Sequence, residues 1–167
     1  IELLKSIGVE TGMIAGDTRF DRVMETKMNA DEVQGITLFK GANTLVIAGS
    51  TWQEDEKNII PYINESSDLV KVIIAPHEID KGHIRMIQSM LKVKNILYSE
   101  ITQVNVQDAK VLIIDNIGLL SAIYQYGDIA YVGGAFKGAL HNILEPATFG
   151  MPIVIGPEFR KFPEAME

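Results

Sequence analysis

The feature that most constrains this chain is a rhythm. Seven short runs of β-branched and aliphatic residues (13–15, 44–48, 70–75, 95–98, 111–114, 129–132 and 153–155) each close on small or polar residues. Between several of them lie stretches with helical spacing. Continuous apolar runs of this length fit strands buried on both faces, as in a parallel sheet. The intervening stretches 54–64 (Ile59, Ile60, Ile63), 79–91 (Ile84, Ile87, Met90, Leu91) and 117–126 (Leu120, Ile123, Tyr124) each place their apolar residues on one face. Pro61 predicts a break in the first of them, or a helix that starts late. The alternation predicts an α/β fold, a Rossmann-like open parallel sheet with helices on both faces and right-handed crossovers.

Composition narrows the function. With 47% hydrophobic and 22% charged residues over 167 positions, the chain is rich enough in apolar side chains for one packed core, and no linker or repeat divides residues 1–167. The absence of cysteine excludes disulfide staples, thiolate metal ligands and a Cys nucleophile. A net charge of −7 argues against nucleic acid as a partner. No run approaches the ~20 residues of a membrane span, and no signal-peptide pattern opens the sequence. The chain opens on Ile1 and closes on Glu167, each inside what reads as an element, so it is expected to be a soluble fragment of a larger protein.

In open α/β sheets, ligands sit beyond the carboxyl ends of the strands. The residues there are Gly16-Asp17-Thr18-Arg19, Gly49-Ser50-Thr51-Trp52, Pro76-His77-Glu78, Asp115-Asn116-Ile117-Gly118 and Gly133-Gly134-Ala135-Phe136-Lys137-Gly138. The last loop continues into His141-Asn142-Ile143-Leu144-Glu145-Pro146-Ala147. Its glycines permit close backbone approach, so Gly133 and Gly134 are candidate anion contacts. Asn142 and Glu145 have the spacing of a helix cap, Asn as cap and Glu reaching back, although Pro146 favours a start nearer Leu144. In a functional reading Glu145 accepts hydrogen bonds from ribose hydroxyls. Ser50 and Thr51 read either as helix caps or as anion-binding hydroxyls. Arg19 and Lys137 are candidate cations for a phosphate or carboxylate. The spacing of His77, His83 and His141 supports no metal site, with His83 expected on an exposed helix face. G-x-G-x-x-G, Walker A and G-x-S-x-G motifs are all absent.

Taken in order, these loops resemble the C-terminal domain of 3-deoxy-D-manno-octulosonic acid (Kdo) transferases. The matching residues are 16–21, Ala48-Gly49-Ser50-Thr51, Pro76-His77, Asp115 with Gly118, Gly133-Gly134, and most specifically His141-Asn142-Ile143-Leu144-Glu145-Pro146-Ala147. The resemblance implies a GT-B glycosyltransferase of two Rossmann-like domains, of which this chain is the nucleotide-sugar-binding C-terminal half. It implies inverting transfer of Kdo from CMP-Kdo to a lipid A precursor at the cytoplasmic face of the bacterial inner membrane, with no cofactor and no catalytic metal. The general base, the acceptor surface and the membrane contact would belong to the N-terminal domain, so this fragment would hold no catalytic residue and would be inactive alone. Carried over, the CMP contacts are Pro76, His77, Ile117, Gly118, Leu119, Asn142, Ile143, Leu144 and Glu145. Two departures stand out: Pro76-His77-Glu78 where the family commonly has Pro-Arg-His, and Gly118-Leu119 where it commonly has Gly-Glu. Two other readings remain: a GT-B relative that uses a UDP-sugar (a transferase or a 2-epimerase), and a non-catalytic Rossmann-like ligand-binding module.

Overall fold

The computed structural model describes residues 2–9, 11, 18–102 and 105–166. The described helices are α1 (Glu2–Ser6), α2 (Thr18–Met28), α3 (Ile36–Lys40), α4 (Gln53–Glu65), α5 (Lys81–Met90), α6 (Leu120–Ile123) and α7 (Leu144–Thr148). The described strands are β1 (Thr44–Thr51), β2 (Val70–Pro76), β3 (Asn95–Leu97), β4 (Val111–Ile113), β5 (Ile129–Val132) and β6 (Ile153–Ile155). They form one parallel sheet in the order β3-β4-β2-β1-β5-β6. Six of the seven expected runs are therefore strands, and the run at 13–15 lies outside the described residues.

Both faces of the centre of the sheet are covered, which explains the predominantly apolar runs there. Leu45, Ile47, Ile73, Leu112 and Ile114 point to one face and pack with Ile36 and Phe39 of α3 and with Ile123 and Tyr124. Val72, Ile74, Val111 and Ile113 point to the other and pack with Ile60 and Ile63 of α4 and Ile84 and Ile87 of α5. Neighbours along a strand thus alternate between two cores, and both cores want aliphatic side chains. The third expected helix is shorter than its periodicity implied: α6 ends at Ile123 and tightens into a 3-10 turn over Tyr124–Tyr126.

Pro61 does not break α4, which runs through it from Gln53 to Glu65. Ile60 and Ile63, both buried, anchor the helix on either side of the proline. Pro61 itself is exposed, so the backbone carbonyl it leaves unpaired can be hydrated.

The chain moves from β1 towards β3 on one side and returns to β5 on the other side of β1. The sheet therefore reverses its winding between β1 and β5. Such a switch point opens a crevice at the carboxyl ends of the two strands.

Candidate functional site

The end of β1 is irregular. Its register against β2 shifts between Gly49 and Thr51. The residue in between, Ser50, holds the left-handed conformation at φ 51°. That bulge turns Ser50 towards the crevice, where it shares a pocket of about 200 Å³ with Pro76, His77, Asn116, Ile117 and Gly118. Across the switch point Gly133 lies so close that a Cβ there would sit 2.3 Å from the Ser50 carbonyl oxygen. Only glycine lets β5 close on the β1 bulge. Gly134 follows at φ 95°, again a glycine conformation.

Asp55 pins this junction. It is fully buried in the first turn of α4. Its Oδ2 accepts from the backbone N–H groups of Trp52 and Gly134, both at 2.9 Å. Its Oδ1 accepts from the Tyr131 hydroxyl at 2.6 Å. One carboxylate thus ties the start of α4, strand β5 and the glycine loop together. Burial, followed by this hydrogen bond, pushes the Tyr131 phenol well above its usual pKa. Neither Ser50 nor Thr51 caps α4, contrary to the capping alternative. The N-cap is Trp52, and the carboxylate three residues later answers its N–H.

These bonds remove several sequence candidates from the set of free donors. Thr51 is fully buried and donates its hydroxyl to Glu56 at 2.9 Å. The Gly133 N–H is bound to the Gly49 carbonyl at 2.9 Å. With the Gly134 N–H on Asp55, neither glycine amide is available to an anion. Lys137 pairs with Glu54 at 3.0 Å, and its ammonium lies 4.7 Å from the centre of the Trp52 ring. That hydrogen bond draws the Glu54 carboxyl below its ordinary value.

A ring cluster separates the two halves of the crevice. His77 stacks on Trp52 at 4.4 Å between centroids and on His141 at 4.6 Å. The Trp52 indole N–H donates to His141 Nε2 at 2.9 Å. Burial first, and then the neighbouring charge of His77, hold the His141 pKa below its usual value. An unprotonated Nε2 is what that hydrogen bond requires. NMR titration of the His141 ring is therefore expected to give a midpoint below the ~6.5 of an unperturbed histidine. The sign for stability follows: a lowered folded pKa means that His141's contribution is complete above about pH 6.5 and is lost as pH falls through the folded value. A midpoint at or above 6.5 would contradict the bonding pattern.

Beyond the rings lies a second cleft of about 450 Å³, bordered by Arg19, Ser121, His141, Asn142 and Glu145. Glu145 is half-buried. Its Oε2 accepts from the Ser121 hydroxyl at 2.9 Å and its Oε1 from the Asn142 amide at 3.2 Å. The Asn142 Oδ1 accepts from the Leu144 N–H at 3.0 Å, and α7 begins at Leu144, as Pro146 favours. Glu145 thus reaches the Asn142 side chain and Ser121 rather than completing a reciprocal cap on the backbone. Its oxygens retain lone pairs towards the cleft. Arg19 pairs with Glu164 at 2.8 Å on the rim.

The structure therefore gathers Ser50, Pro76, His77, Ile117 and Gly118 in one pocket and Arg19, Asn142 and Glu145 in the next. Leu119 lies beside them on an adjoining groove with Gly118 and Ser121. Ile143 and Leu144 are buried, leaving only their backbone to meet a ligand. Asp17 and Gly16 lie outside the described residues. His83 is buried, not exposed: it occupies the α5 face that also carries Ile87, and its Nε2 meets Glu56 at 2.7 Å. Asp55, Glu56 and Ser121 escaped the sequence reading, and Trp52 appears in it only as the last residue of the loop Gly49-Ser50-Thr51-Trp52. For the two acids a signal existed, since Glu56 lies four residues before Ile60 and Asp55 four before Ile59, on or beside the apolar face of α4.

A winding reversal in a parallel sheet, with a polar cleft at the switch point, defines a Rossmann-like α/β domain. No family model matches the chain. Its sequence is 26% identical over 166 residues to the 3-deoxy-D-manno-octulosonic acid transferase of Rickettsia typhi, covering 96% of this chain and 35% of that protein. It is 31% identical over 121 residues to the enzyme of the same name from Chlamydophila psittaci, covering 70% of this chain and 27% of that one. The fold matches the crystal structure of the C-terminal CMP-Kdo binding domain of WaaA from Acinetobacter baumannii at a TM-score of 0.65 and 20% identity, over 87% of this chain and 76% of that one. The chain is a homologue of the Kdo transferases, which are glycosyltransferases. It spans about a third of the length of the curated relatives it matches.

Proposed function

We propose that this chain is the donor-binding domain of an inverting glycosyltransferase of GT-B architecture, which transfers Kdo from CMP-Kdo to a lipid A precursor. The observation that carries the reading is the convergence, at one switch point, of Pro76-His77, Ile117-Gly118 and Asn142-Glu145 in a homologue of Kdo transferases. Ile117 is an 88% exposed aliphatic side chain beside His77, suited to cover the face of a nucleobase. Glu145, already oriented by Ser121 and Asn142, receives the ribose hydroxyls. Arg19 and Ser50, on the rims of the two pockets, are the candidate phosphate contacts.

In the transfer, an acceptor hydroxyl oxygen bonds to the anomeric carbon as the bond from that carbon to the CMP phosphate oxygen breaks. The hydroxyl proton passes to a general base outside this chain. The chain's own contribution is to orient the donor and to stabilise the departing phosphate. Acceptor binding and membrane contact at the cytoplasmic face of the inner membrane belong to the rest of the protein. Among the described residues no helix is long and apolar enough to cross a membrane.

Calorimetric titration with CMP, UMP and UDP tests the reading. Saturable binding with CMP preferred supports it. A preference for UDP would replace it with a UDP-sugar enzyme, and binding of none would remove the donor-site assignment from the isolated chain.

A further inference from the structure

We propose that Glu78, Asp80 and His83 form a site for a divalent transition-metal ion of the zinc type, where the loop that follows His77 enters α5. The first observation is geometric. One carboxylate oxygen from each acid and one ring nitrogen of His83 all lie within 4.8 Å of one another. The second concerns that nitrogen. The His83 side chain is only 3% exposed, and Nε2 is taken by Glu56 Oε2 at 2.7 Å. Nδ1 is buried and has no hydrogen-bond partner.

A carboxylate accepts, so Nε2 carries the proton in this pair. In the neutral tautomer with its proton on Nε2, the ring presents a lone pair at Nδ1 that no neighbouring group meets. Buried polar atoms are ordinarily paired, and an orphan of this kind calls for a ligand. A carboxylate on one ring nitrogen and a vacant lone pair on the other is the arrangement that orients histidine metal ligands and raises their basicity. Here the orienting carboxylate is itself fixed, because Glu56 is fully buried and its Oε1 accepts from Thr51.

Asp80 caps α5 with Oδ1, which accepts from the Gly82 and His83 N–H groups at 2.9 and 3.1 Å. Its second oxygen remains for an ion. Two exposed carboxylates offset the positive end of α5 and can close over a cation that the imidazole holds from below. One imidazole nitrogen with two carboxylates favours zinc-type ions over calcium or magnesium, with water completing the shell. Neither histidine spacing nor a carboxylate cluster signals a metal in the sequence, because this site uses one histidine and two acids spread over six residues. A bound ion would fasten the loop carrying His77 to α5.

The test is a titration of the whole chain with Co²⁺, followed by visible absorption, by competition with Zn²⁺ and by NMR of the imidazole nitrogens. The expected result is one saturable equivalent, displaced by Zn²⁺, with the His83 Nδ1 resonance moving most. The double variant E78Q/D80N, whose Asn keeps a capping oxygen, should bind at least tenfold more weakly while its metal-free melting temperature matches the parent. The proposal is overturned if the parent shows no saturable binding, if the variant binds equally well, or if the shifts fall on His77 and His141 instead. Should the double variant fail to fold, the imidazole resonances of the parent decide the matter alone.

Discussion

Replacing Asp55 with alanine is expected to destabilise the chain by about 3–5 kcal/mol, through burial of donors that lose their acceptor. Three donors depend on this carboxylate: the Trp52 and Gly134 amides and the Tyr131 hydroxyl. Each buried donor left unpaired costs about 1–3 kcal/mol, and partial hydration keeps the sum below the maximum. For a domain of this size the melting temperature should fall by roughly 10 °C or more. Asp55→Asn tests whether acceptance or mere volume matters. The amide is nearly isosteric: its oxygen can still accept from the Trp52 and Gly134 N–H groups, and its N–H₂ can donate to the Tyr131 hydroxyl, which accepts as well as donates, so Asn should cost clearly less than Ala. Thermal unfolding followed by circular dichroism, with Glu54→Ala as the half-exposed neighbour, makes the comparison. An Ala variant as stable as the parent, or an Asn variant no better than Ala, would refute the account.

The second large effect concerns binding. Glu145→Ala is expected to weaken CMP by about 10- to 100-fold, since hydrogen bonds to a charged group are worth about 1.5–3 kcal/mol. The ribose assignment adds a sharper condition: 2′-deoxy-CMP should bind the parent more weakly than CMP, and the two nucleotides should bind the Ala variant nearly alike. Equal affinity of both for the parent would remove the ribose role. Stability should change little, because the partners released are the half-buried Ser121 and the exposed Asn142, which water can serve.

The layers of this fold were legible because burial on both faces leaves an unambiguous trace. Runs such as 72–75 and 111–114 send their side chains into two apolar cores, and they became β2 and β4; Lys71 is tolerated at the start of β2 because its ammonium reaches the Gln107 carbonyl. The helix at Pro61 was misjudged because propensity is a local quantity, whereas Ile60 and Ile63 hold that helix by tertiary packing. The crevice was half legible. Pro76, His77, Ile117, Gly118, Asn142 and Glu145 follow strands, and topology carries strand ends to one side.

What escaped was the polar wiring beneath. The segment Trp52-Gln53-Glu54-Asp55-Glu56 reads as the solvated first turn of a helix, yet Asp55 and Glu56 are wholly buried and Glu54 pairs with Lys137 at the surface. Which acid faces inward depends on the rotation of α4 about its axis, and that is set by the isoleucines one and two turns later. The glycine loop misled in the opposite direction. Its amides looked free for an anion, but the switch-point geometry uses them to join β5 to β1 and α4.

The pairing of β1 with β5 has a kinetic consequence. Val46 meets Ile129, 83 positions along the chain, whereas its β2 neighbour Val72 is 26 positions away. Closing the longer loop costs about 1 kcal/mol more chain entropy than closing the shorter one. Distant pairings of this kind slow folding, because entropy is spent before the contacts return it. The β1–β2–α4 unit can therefore assemble early, while the crevice exists only after β5 has docked on β1. The proposed nucleotide-binding competence is then a late-acquired property of the whole chain. Its recovery during refolding should trail the recovery of helix and strand signals.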